Sequence, residues 1–574
     1  MLKRVHWLLA LCMVACLGLA GVPAARAQSA TTTVTLLHFS DYHSHAVPFY
    51  SEGAPNQGGI ARGIAYLKAQ RQSTPNLLIL DGGDMVNKGS PTWSDEYMCA
   101  EWPWLNGLVD AMALGNHEFD YGQDVFKACQ AQITYPIISA NYVGADGKPL
   151  LTADGKTYIV KEVGGVKIGL FAVAGTDFST LVTAANRAPG ATFSDRIAVA
   201  RQIVDTLRNT EKVNAVVMFG HELREDDYAL AQAVPGIDLI LGTHSHYKSE
   251  LTTIPNTKTY FISPFQYLTY ISNVQLTFTG GQLTGVSGHL VKMDAQQPED
   301  PQIAAQVTKM QADLEAKHPD RFKVLGTAAV ELGVDNVSDD ETGLGNWSME
   351  VVRAAAGVNA FFSTSSSFRA SIPPGPITVE TFYTAIPYKN SIVTADMTGQ
   401  QVANLLNVVV SKRGTDSFCQ ESGVRFQMQN GQATNIEILR DPANPAAGYA
   451  PLDLSKTYKI GATNFMTGVS AFYKPVFAAA SNVTDTKVDI GTLLTSTIQS
   501  AGTITAALDG RMGTAVPGGG GTTPGMPRTG NGQAPDGAGL ALLAALGLLA
   551  AGLLVRARLR VPASLPVSER TPRE

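Results

Sequence analysis

The sequence has no stripe of basic residues, and its formal net charge over 574 residues is −6. What positive charge there is collects at the two ends, because residues 1–27 and residues 556–574 each carry a net charge of +3. The part between them therefore carries −12. Nucleic-acid polymers bind to concentrated positive charge, so this acidic body argues against such a partner, although small phosphates held by metal ions remain compatible with it.

The sequence also shows no internal repeat of fixed period, so a repeat architecture is not indicated. Its composition, with 45% apolar and 16% charged residues, is that of an ordinary globular protein. A chain of this length is expected to form two or three domains. We place a first domain at residues 28–295, a linker helix at 296–325 and a second domain at 326–511. The linker helix is expected to start at Pro301, because the apolar residues that follow recur at helical spacing.

Cysteine is scarce, with five residues in the chain and two of them within the first 27. Cys99 and Cys129 are close enough in sequence to bridge in an oxidising compartment, which would leave Cys419 free. The alternative is three unpaired, buried thiols. The sequence alone leaves both open.

Residues 1–27 are predicted to be a signal peptide. Lys3 and Arg4 provide the charged beginning, residues 8–19 form a short apolar core, and Ala25-Arg26-Ala27 provides an A-x-A cleavage site. The apolar core is short for a retained membrane helix. The sequence therefore predicts a protein that is exported from the cytoplasm.

The other end of the chain predicts an anchor. Residues 512–537 form a linker rich in Gly, Pro and Thr, which contains Met-Pro-Arg-Thr-Gly at 526–530. Residues 538–560 hold an uncharged apolar stretch followed by three arginines, which would keep the tail at 561–574 on the cytoplasmic side. This arrangement resembles a sortase sorting signal of the L-P-x-T-G type, with Met526 in place of leucine. A plain membrane anchor is the alternative to sortase linkage to the cell wall, and both place the protein at the outer surface.

Five apolar runs, at residues 33–39, 76–80, 109–114, 213–219 and 237–241, each read as a strand that ends abruptly in a polar loop. In α/β folds, ligand sites form at the carboxyl ends of the strands. The loops deliver side chains that bind metals, which are Asp41, His43, Asp84, Asn116, His221, His244 and His246. This convergence predicts a metal-dependent enzyme.

The chemistry of these side chains narrows the choice of metal. Mixed oxygen and nitrogen ligands suit Zn, Mn, Fe or Co better than Mg or Ca. Asp84 has two carboxylate oxygens, so it is able to bridge two ions. Seven ligands with one bridging carboxylate suffice for two divalent ions about 3.5–4 Å apart. Any one motif alone is more often a turn or a surface pair, so the prediction depends on the ordered set of five.

The ordered set resembles the calcineurin-like metallophosphoesterase superfamily and, with the second domain, the bacterial 5'-nucleotidase family. Gly-Gly-Ile-Ala-Arg at residues 58–62 and Pro-Ile-Ile-Ser-Ala-Asn at residues 136–141 match further motifs of that family. The resemblance implies an α/β fold. Its first domain would be a four-layer α/β/β/α metallophosphoesterase sandwich, followed by a smaller mixed α/β domain that binds the nucleoside part of the substrate.

The resemblance also implies roles for individual residues. A hydroxide on the metals would attack phosphorus in line, while His117, oriented by Asp120, would stabilise or protonate the leaving oxygen. The alternative for His117 is that it only packs the loop. One ion would take Asp41, His43, Asp84 and His246, and the other Asp84, Asn116, His221 and His244.

The second domain matches the family less closely. Phe418 and Phe472 fall where two aromatic rings of the family enclose the base, although both could instead be core residues. Arg369 and Arg413 are candidates to clamp phosphate or carboxylate, and Asn407 is a candidate to read a base edge. Two glycine-rich motifs of the family are replaced, one by Thr-Ser-Ser-Ser-Phe-Arg at residues 364–369 and one at residues 468–472. We therefore expect an altered or relaxed substrate pocket.

These observations predict an exported, surface-anchored phosphatase with two metal ions that hydrolyses 5'-nucleotides or related phosphate esters. The alternatives on the same scaffold are a 2',3'-cyclic phosphodiesterase/3'-nucleotidase and a UDP-sugar hydrolase. From another class, the chain could be a surface binding protein whose second domain has diverged. The complete ligand set favours the enzyme, because a binding protein has no need of seven metal ligands.

Overall fold

The first half of the chain forms two β-sheets that pack face to face. In the computed structural model, which describes residues 31–89 and 91–514, the larger sheet has eight strands and the smaller has six, and a separate two-stranded sheet brings the described strands of this half to sixteen. The strands are β1 (Thr31–Phe39), β2 (Phe49–Ser51), β3 (Ala54–Gln57), β4 (Leu77–Asp81), β5 (Ala111–Ala113), β6 (Ile137–Val143), β7 (Pro149–Leu151), β8 (Tyr158–Val163), β9 (Val166–Phe171), β10 (Thr192–Phe193), β11 (Ala215–Met218), β12 (Leu239–Leu241), β13 (Lys248–Thr253), β14 (Tyr260–Pro264), β15 (Tyr270–Thr279) and β16 (Gln282–Lys292).

Helices cover the outer faces of both sheets. They are α1 (Ile60–Ser73), α2 (Thr92–Tyr97), α3 (Gln123–Gln130), α4 (Phe178–Leu181), α5 (Arg196–Asp205) and α6 (Arg224–Ala233), with 3₁₀ turns at Trp102–Leu105 and His117–Phe119 and a π-helical turn at Thr206–Thr210. The inner faces share one core, which includes Leu36, Leu80, Leu170 and Val217. This arrangement confirms the predicted four-layer α/β/β/α sandwich.

Strand direction explains how this sandwich positions a site. The larger sheet has the order β10-β6-β5-β4-β1-β15-β16, with β7 beside β6, and the smaller has the order β13-β14-β12-β11-β9-β8. Strands β1, β4, β5 and β6 are mutually parallel, and so are β9, β11, β12 and β14. Parallel strands release their following loops at one edge of a sheet. Strands β11 and β12 are apolar and buried along their whole length, because both faces of their sheet are covered.

Helix α7 (Pro301–Lys317) leads out of this half and begins at the predicted proline. The side chain of Asp300 caps it by accepting hydrogen bonds from the amides of Gln302 and Ile303, which satisfies two amides at the helix start. Ile303, Val307 and Leu314 point into the core. A 3₁₀ turn at Pro319–Phe322 follows.

The second half is a smaller mixed α/β unit, as predicted, with sheets of three, five and four strands ordered β19-β17-β27, β21-β18-β25-β20-β26 and β24-β23-β22-β28. Its strands are β17 (Val324–Ala328), β18 (Ala360–Thr364), β19 (Gly375–Thr378), β20 (Ser391–Thr398), β21 (Cys419–Ser422), β22 (Val424–Gln429), β23 (Gln432–Leu439), β24 (Tyr449–Pro451), β25 (Thr457–Thr463), β26 (Ser481–Asp489), β27 (Thr503–Ile504) and β28 (Met512–Thr514). Its helices are α8 (Gly343–Ala356), α9 (Val379–Ala385), α10 (Gly399–Ser411), α11 (Asn464–Gly468), α12 (Lys474–Ala478) and α13 (Ile490–Ala501), with 3₁₀ turns at Ser365–Ser367 and Pro445–Ala447.

A disulfide joins Cys99 to Cys129, with the two Cα atoms 5.5 Å apart. Cys419 is buried and unpaired. The sequence left open either this disulfide or three unpaired thiols, and the structure contains the disulfide.

Four predicted segments lie wholly or mostly outside the described residues: the signal peptide at 1–27, the linker at 512–537 with its Met-Pro-Arg-Thr-Gly motif, the apolar stretch at 538–560 and the tail at 561–574. Among the residues that are described, no helix is both long enough and apolar enough to cross a membrane.

Candidate metal centre

The seven predicted metal ligands come together where loops from the two sheets meet. The larger sheet contributes the loops after β1, β4 and β5, and the smaller sheet contributes those after β11 and β12. The side chains of Asp41, His43 and His221 are fully buried, and the other four are at most about one-tenth exposed. Loops separated by some two hundred residues in sequence therefore share one buried pocket.

Distances within the cluster place Asp84 at its centre. Asp84 Oδ2 lies 3.1 Å from His221 Nε2 and 3.7 Å from His43 Nε2. On one side, His246 Nε2 lies 3.0 Å from His43 Nε2 and 3.3 Å from Asp41 Oδ1. On the other side, His221 and His244 group with the same Asp84 carboxylate. A carboxylate between two sets of ligands is the arrangement that a bridging ligand needs.

Three of these ligand atoms are buried and make no hydrogen bond to any residue of the described chain. They are Asp41 Oδ1, Asn116 Oδ1 and His221 Nε2. A buried polar atom without a partner costs about 1–3 kcal/mol, so three in one pocket indicate a ligand that is not protein. Because all three are atoms that coordinate divalent transition metals, the residues present fit such ions.

The orientation of two histidines is fixed by backbone carbonyls. His221 Nδ1 lies 2.7 Å from the carbonyl oxygen of Gly82, and His43 Nδ1 lies 3.2 Å from that of Val86. A carbonyl only accepts, so Nδ1 donates in both neutral rings and Nε2 keeps its lone pair for a metal. The rings are thus held in the tautomer that a ligand requires.

The backbone of the ligand loops is also unusual. Asp41, His43, Asp84, His244 and His246 all have φ between +48° and +58°. Residues other than glycine rarely adopt this left-handed conformation, which costs of order 1–3 kcal/mol each and clusters at functional sites. Five such residues in one pocket indicate that the positions of these side chains are maintained at a cost in backbone strain, as is typical of a functional site.

Two carboxylates that hold the predicted ligands in place were not predicted from the sequence. Glu118 is buried, and its carboxylate accepts hydrogen bonds from the amides of Asp84, Met85 and Gly115 at 2.7–3.0 Å, which ties two ligand loops together. Asp177 Oδ2 lies 2.9 Å from His244 Nε2, so Nδ1 of that ring is the atom that would bind a metal. Glu118 belongs to the same loop as Asn116 and His117, and Asp177 lies in the loop after strand β9, just as the predicted ligands lie in loops after other strands. Both residues could therefore have been predicted from their positions in the sequence.

The predicted pair His117 and Asp120 lies beside the metal ligands. His117 Nδ1 is 2.7 Å from Asp120 Oδ2, and the amide of His117 donates to Asp84 Oδ1 at 2.9 Å. Burial opposes protonation of His117, but the carboxylates of Asp120 and Asp84 outweigh it and raise its pKa to about 9. This raised pKa favours the protonated ring at neutral pH, which is the form that a proton donor requires.

Of the predicted substrate residues, the structure brings only Arg369 to this pocket. Its Nη2 lies 3.4 Å from His246 Nε2 and its Nη1 lies 3.6 Å from Asp416 Oδ2, and its side chain is almost fully buried. Arg413 is more than one-third exposed and donates from Nε to the carbonyl oxygen of Asp339. Asn407 Oδ1 accepts from the amide of Ala433 within the second half.

The two predicted base-stacking rings require a correction. Phe418 has no exposed surface and lies within the hydrophobic core of the second half, so its faces are not available to a base. Phe472 is 37% exposed, and Lys412 Nζ lies 3.3 Å from its ring centroid. The two rings therefore do not form the expected sandwich. Phe418 directly precedes strand β21, and its ring packs into the hydrophobic core of the second half.

Comparison with known proteins identifies the family. The family of calcineurin-like phosphoesterases matches residues 34–248, and the 5'-nucleotidase C-terminal domain matches residues 324–478. A 5'-nucleotidase from Vibrio cholerae is 26% identical over 504 residues, which cover 78% of this chain and 87% of the relative. The trifunctional nucleotide phosphoesterase protein YfkN from Bacillus subtilis is 25% identical over 79% of this chain, but the chain spans only 33% of that longer relative.

Among solved structures, a 5'-nucleotidase precursor from Thermus thermophilus superimposes with a TM-score of 0.67 at 25% identity, covering 84% of this chain and 99% of that one. Both halves are therefore matched in sequence and in structure. The chain belongs to the 5'-nucleotidase family, in which a calcineurin-like phosphoesterase domain precedes a 5'-nucleotidase C-terminal domain, and it is a metal-dependent phosphoester hydrolase.

Proposed function

We propose that this enzyme uses two divalent metal ions to hydrolyse 5'-nucleotides, or related small phosphate esters, and release orthophosphate. The observation that carries the proposal is the buried pocket around the central Asp84, in which Asp41 Oδ1, Asn116 Oδ1 and His221 Nε2 make no hydrogen bond to any described residue. Two ions held there, each of them Zn, Mn, Fe or Co, would activate water and neutralise phosphate charge.

The protein's own side chains supply the remaining steps. Arg369 presents a permanent positive charge at the edge of the pocket, where it would hold a phosphate oxygen. His117 carries a proton at neutral pH and would give it to the leaving oxygen. Asp120 holds the His117 ring in place through Nδ1, which leaves Nε2 as the donating atom.

A second candidate is activity on 2',3'-cyclic nucleotides or UDP-sugars. Support comes from YfkN, whose name describes a trifunctional nucleotide phosphoesterase. It also comes from the burial of Phe418, which removes one expected contact to the base and relaxes the demand on the nucleoside part.

We also propose that the enzyme acts outside the cytoplasm, held by its C-terminal segment to the membrane or, through sortase, to the cell wall. The sequence features of residues 1–27 and 526–560 motivate this proposal. The bridge between Cys99 and Cys129 supports it, because disulfides persist in oxidising compartments. Fractionating cells that express the chain with and without residues 526–530 tests it. Recovery of the intact chain from the cytoplasm would contradict export.

Phosphate release from AMP, UDP-glucose and 2',3'-cyclic AMP, with added Mn or Zn, tests the activity. AMP is expected to be the preferred substrate, and Asp84→Ala is expected to abolish both turnover and stoichiometric metal binding. His117→Ala should keep its metal and lose about 10²–10⁴-fold in kcat, whereas Asp124→Asn, on the exposed start of α3, should change neither. Metal-loaded protein that turns over none of the three substrates would favour the binding protein instead.

A further inference from the structure

A cavity of about 370 Å³ lies on the far side of the first ligand loop, between the two halves of the molecule. None of the seven metal-ligand residues is among the described residues that line it. Its walls come from the loop after β1, the start of α2, helix α7 with its following turn, and helix α9. The residues that matter to its chemistry are His45, Phe49, Trp93, Leu314, Phe322 and Thr384. Its size is in the range of small-molecule sites.

His45 gives this cavity a defined polar group. Its ring is stacked on Tyr267, with centroids 3.7 Å apart, so its orientation is fixed. His45 Nδ1 lies 2.9 Å from the carbonyl oxygen of His43, which only accepts, so the hydrogen of the neutral ring is on Nδ1. Nε2 is then an acceptor, and it is buried without a hydrogen bond to any part of the chain that the structure describes. Such an atom is matched by a ligand that donates.

The lining offers no positive charge to an anion. None of the described lining residues is a lysine or an arginine, whereas Glu315 and Glu380 both line it, with Glu380 paired to Arg321. Three threonine hydroxyls on or beside α9 add groups that can both donate and accept hydrogen bonds. The apolar part of the wall consists mainly of aromatic rings and prolines, which favour a flat ring over an alkyl chain.

We infer that this cavity is a second binding site, for a small aromatic heterocycle that carries N–H donors and no negative charge. Its occupant would contact His45, two residues from the metal ligand His43, and Ala370, which directly follows Arg369. It would also touch both halves and the helix between them. An occupant would therefore bridge the two halves next to the metal centre. Binding is independent of the proposed phosphatase activity, whereas any effect on turnover rests on it.

Calorimetric titration of the whole protein with 2-aminobenzimidazole tests the site, with benzoate as a flat ring of opposite charge. We expect saturable one-to-one binding of the first compound and none of the second. Thr384→Phe fills the cavity from α9, and Gln311→Phe fills it from α7, so each should weaken binding at least tenfold. Thr497→Phe, at a half-buried position of α13 away from the cavity, is the matched control and should bind as the parent does.

Thermal unfolding of each variant establishes that it is folded before titration. Phe472, a predicted base-stacking residue, is not among the residues that line this cavity, so Phe472→Ala should leave binding of 2-aminobenzimidazole unchanged. Absence of binding to the parent at millimolar concentration would overturn the inference. So would equal binding of benzoate, unchanged binding in both filled variants, or loss of binding in Phe472→Ala. Because each readout is binding, a protein without phosphatase activity could still pass the test.

Discussion

At the scale of single residues, two arginines that looked equivalent in the sequence have different surroundings. Both Arg369 and Arg413 were candidates to clamp an anion. Only Arg369 lies beside a predicted metal ligand, and its buried Nε makes no hydrogen bond within the described chain. The sequence could not separate them, because the difference depends on how the second half meets the first.

This contrast predicts the outcome of a conservative exchange. Arg369→Lys keeps the charge but loses the planar fork that holds two phosphate oxygens. Losing one charge-assisted hydrogen bond costs about 1.5–3 kcal/mol, so KM should rise roughly tenfold or more. Steady-state kinetics of phosphate release from AMP measures this.

Arg413→Lys is the matched control for that exchange, because its side chain contacts only the exposed surface near Asp339. Its KM should stay within a factor of two or so of the parent value. Equal effects of the two substitutions would show that Arg369 does not contact the substrate phosphate.

At the scale of elements, the strands that deliver the ligands were largely predictable. The apolar runs place all five within about three residues of the observed bounds, and the carboxyl-end rule places their loops together. The orientation of rings was not predictable. Phe418 precedes strand β21 and faces the core, and only the packing of that strand decides which way the ring points. The pairing of His244 with Asp177 likewise depends on two loops from different strands meeting.

The disulfide between the end of α2 and helix α3 makes its own prediction. It closes a loop with a sequence separation of 30 residues, for which the chain-entropy relation gives about 3–4 kcal/mol of stability. The double variant Cys99→Ser/Cys129→Ser should lose that amount in chemical denaturation. Cys419→Ala should keep the parent's sensitivity to reductant. A double variant as stable as the oxidised parent would contradict this.

A buried carboxyl group between α2 and the loop after β1 predicts a pH effect. Tyr42 Oη and Trp93 Nε1 both donate to Glu101 Oε1, at 2.6 and 2.8 Å. Burial nevertheless raises the pKa of Glu101 from 4.5 to about 7. The folded protein then binds this proton up to about pH 7, whereas the unfolded chain releases it near pH 4.5. Stability therefore falls as pH rises through that window, by about 3 kcal/mol for this group.

Denaturation of Glu101→Gln at several pH values measures this contribution. The variant cannot titrate at this position, so its free energy of unfolding should fall less steeply between pH 4.5 and 7 than that of the parent. Identical slopes in the two proteins would mean that Glu101 is ionised in the fold.

At the scale of the whole molecule, a small set of polar contacts between described residues joins the two halves. Glu380 accepts hydrogen bonds from the amide and hydroxyl of Thr92, at 2.7 and 2.6 Å, and pairs with Arg321 at 2.9 Å. Tyr50 Oη donates to Glu331 across the same boundary. Glu380 is therefore the side chain that ties the second half both to the first half and to the turn after α7.

Removing that tie should loosen the boundary without unfolding either half. In Glu380→Ala, the amide of Thr92 loses its acceptor, so its hydrogen exchange should accelerate at least tenfold while exchange in the β1–β4 core stays slow. Glu350→Ala is the matched control, since Glu350 pairs with Arg353 and Ser422 inside the second half. Unchanged exchange at Thr92 would show that other contacts hold the boundary.

The left-handed backbone at five ligand positions has a consequence for laboratory evolution. Glycine or asparagine would relax each of these positions, so a library screened only for heat resistance should accumulate such replacements there and lose its metal. A screen that demands catalysis should keep the original residues and gain robustness elsewhere. Comparing the residue frequencies at these five positions between the two screens would then identify the positions where catalysis and thermal stability require different residues.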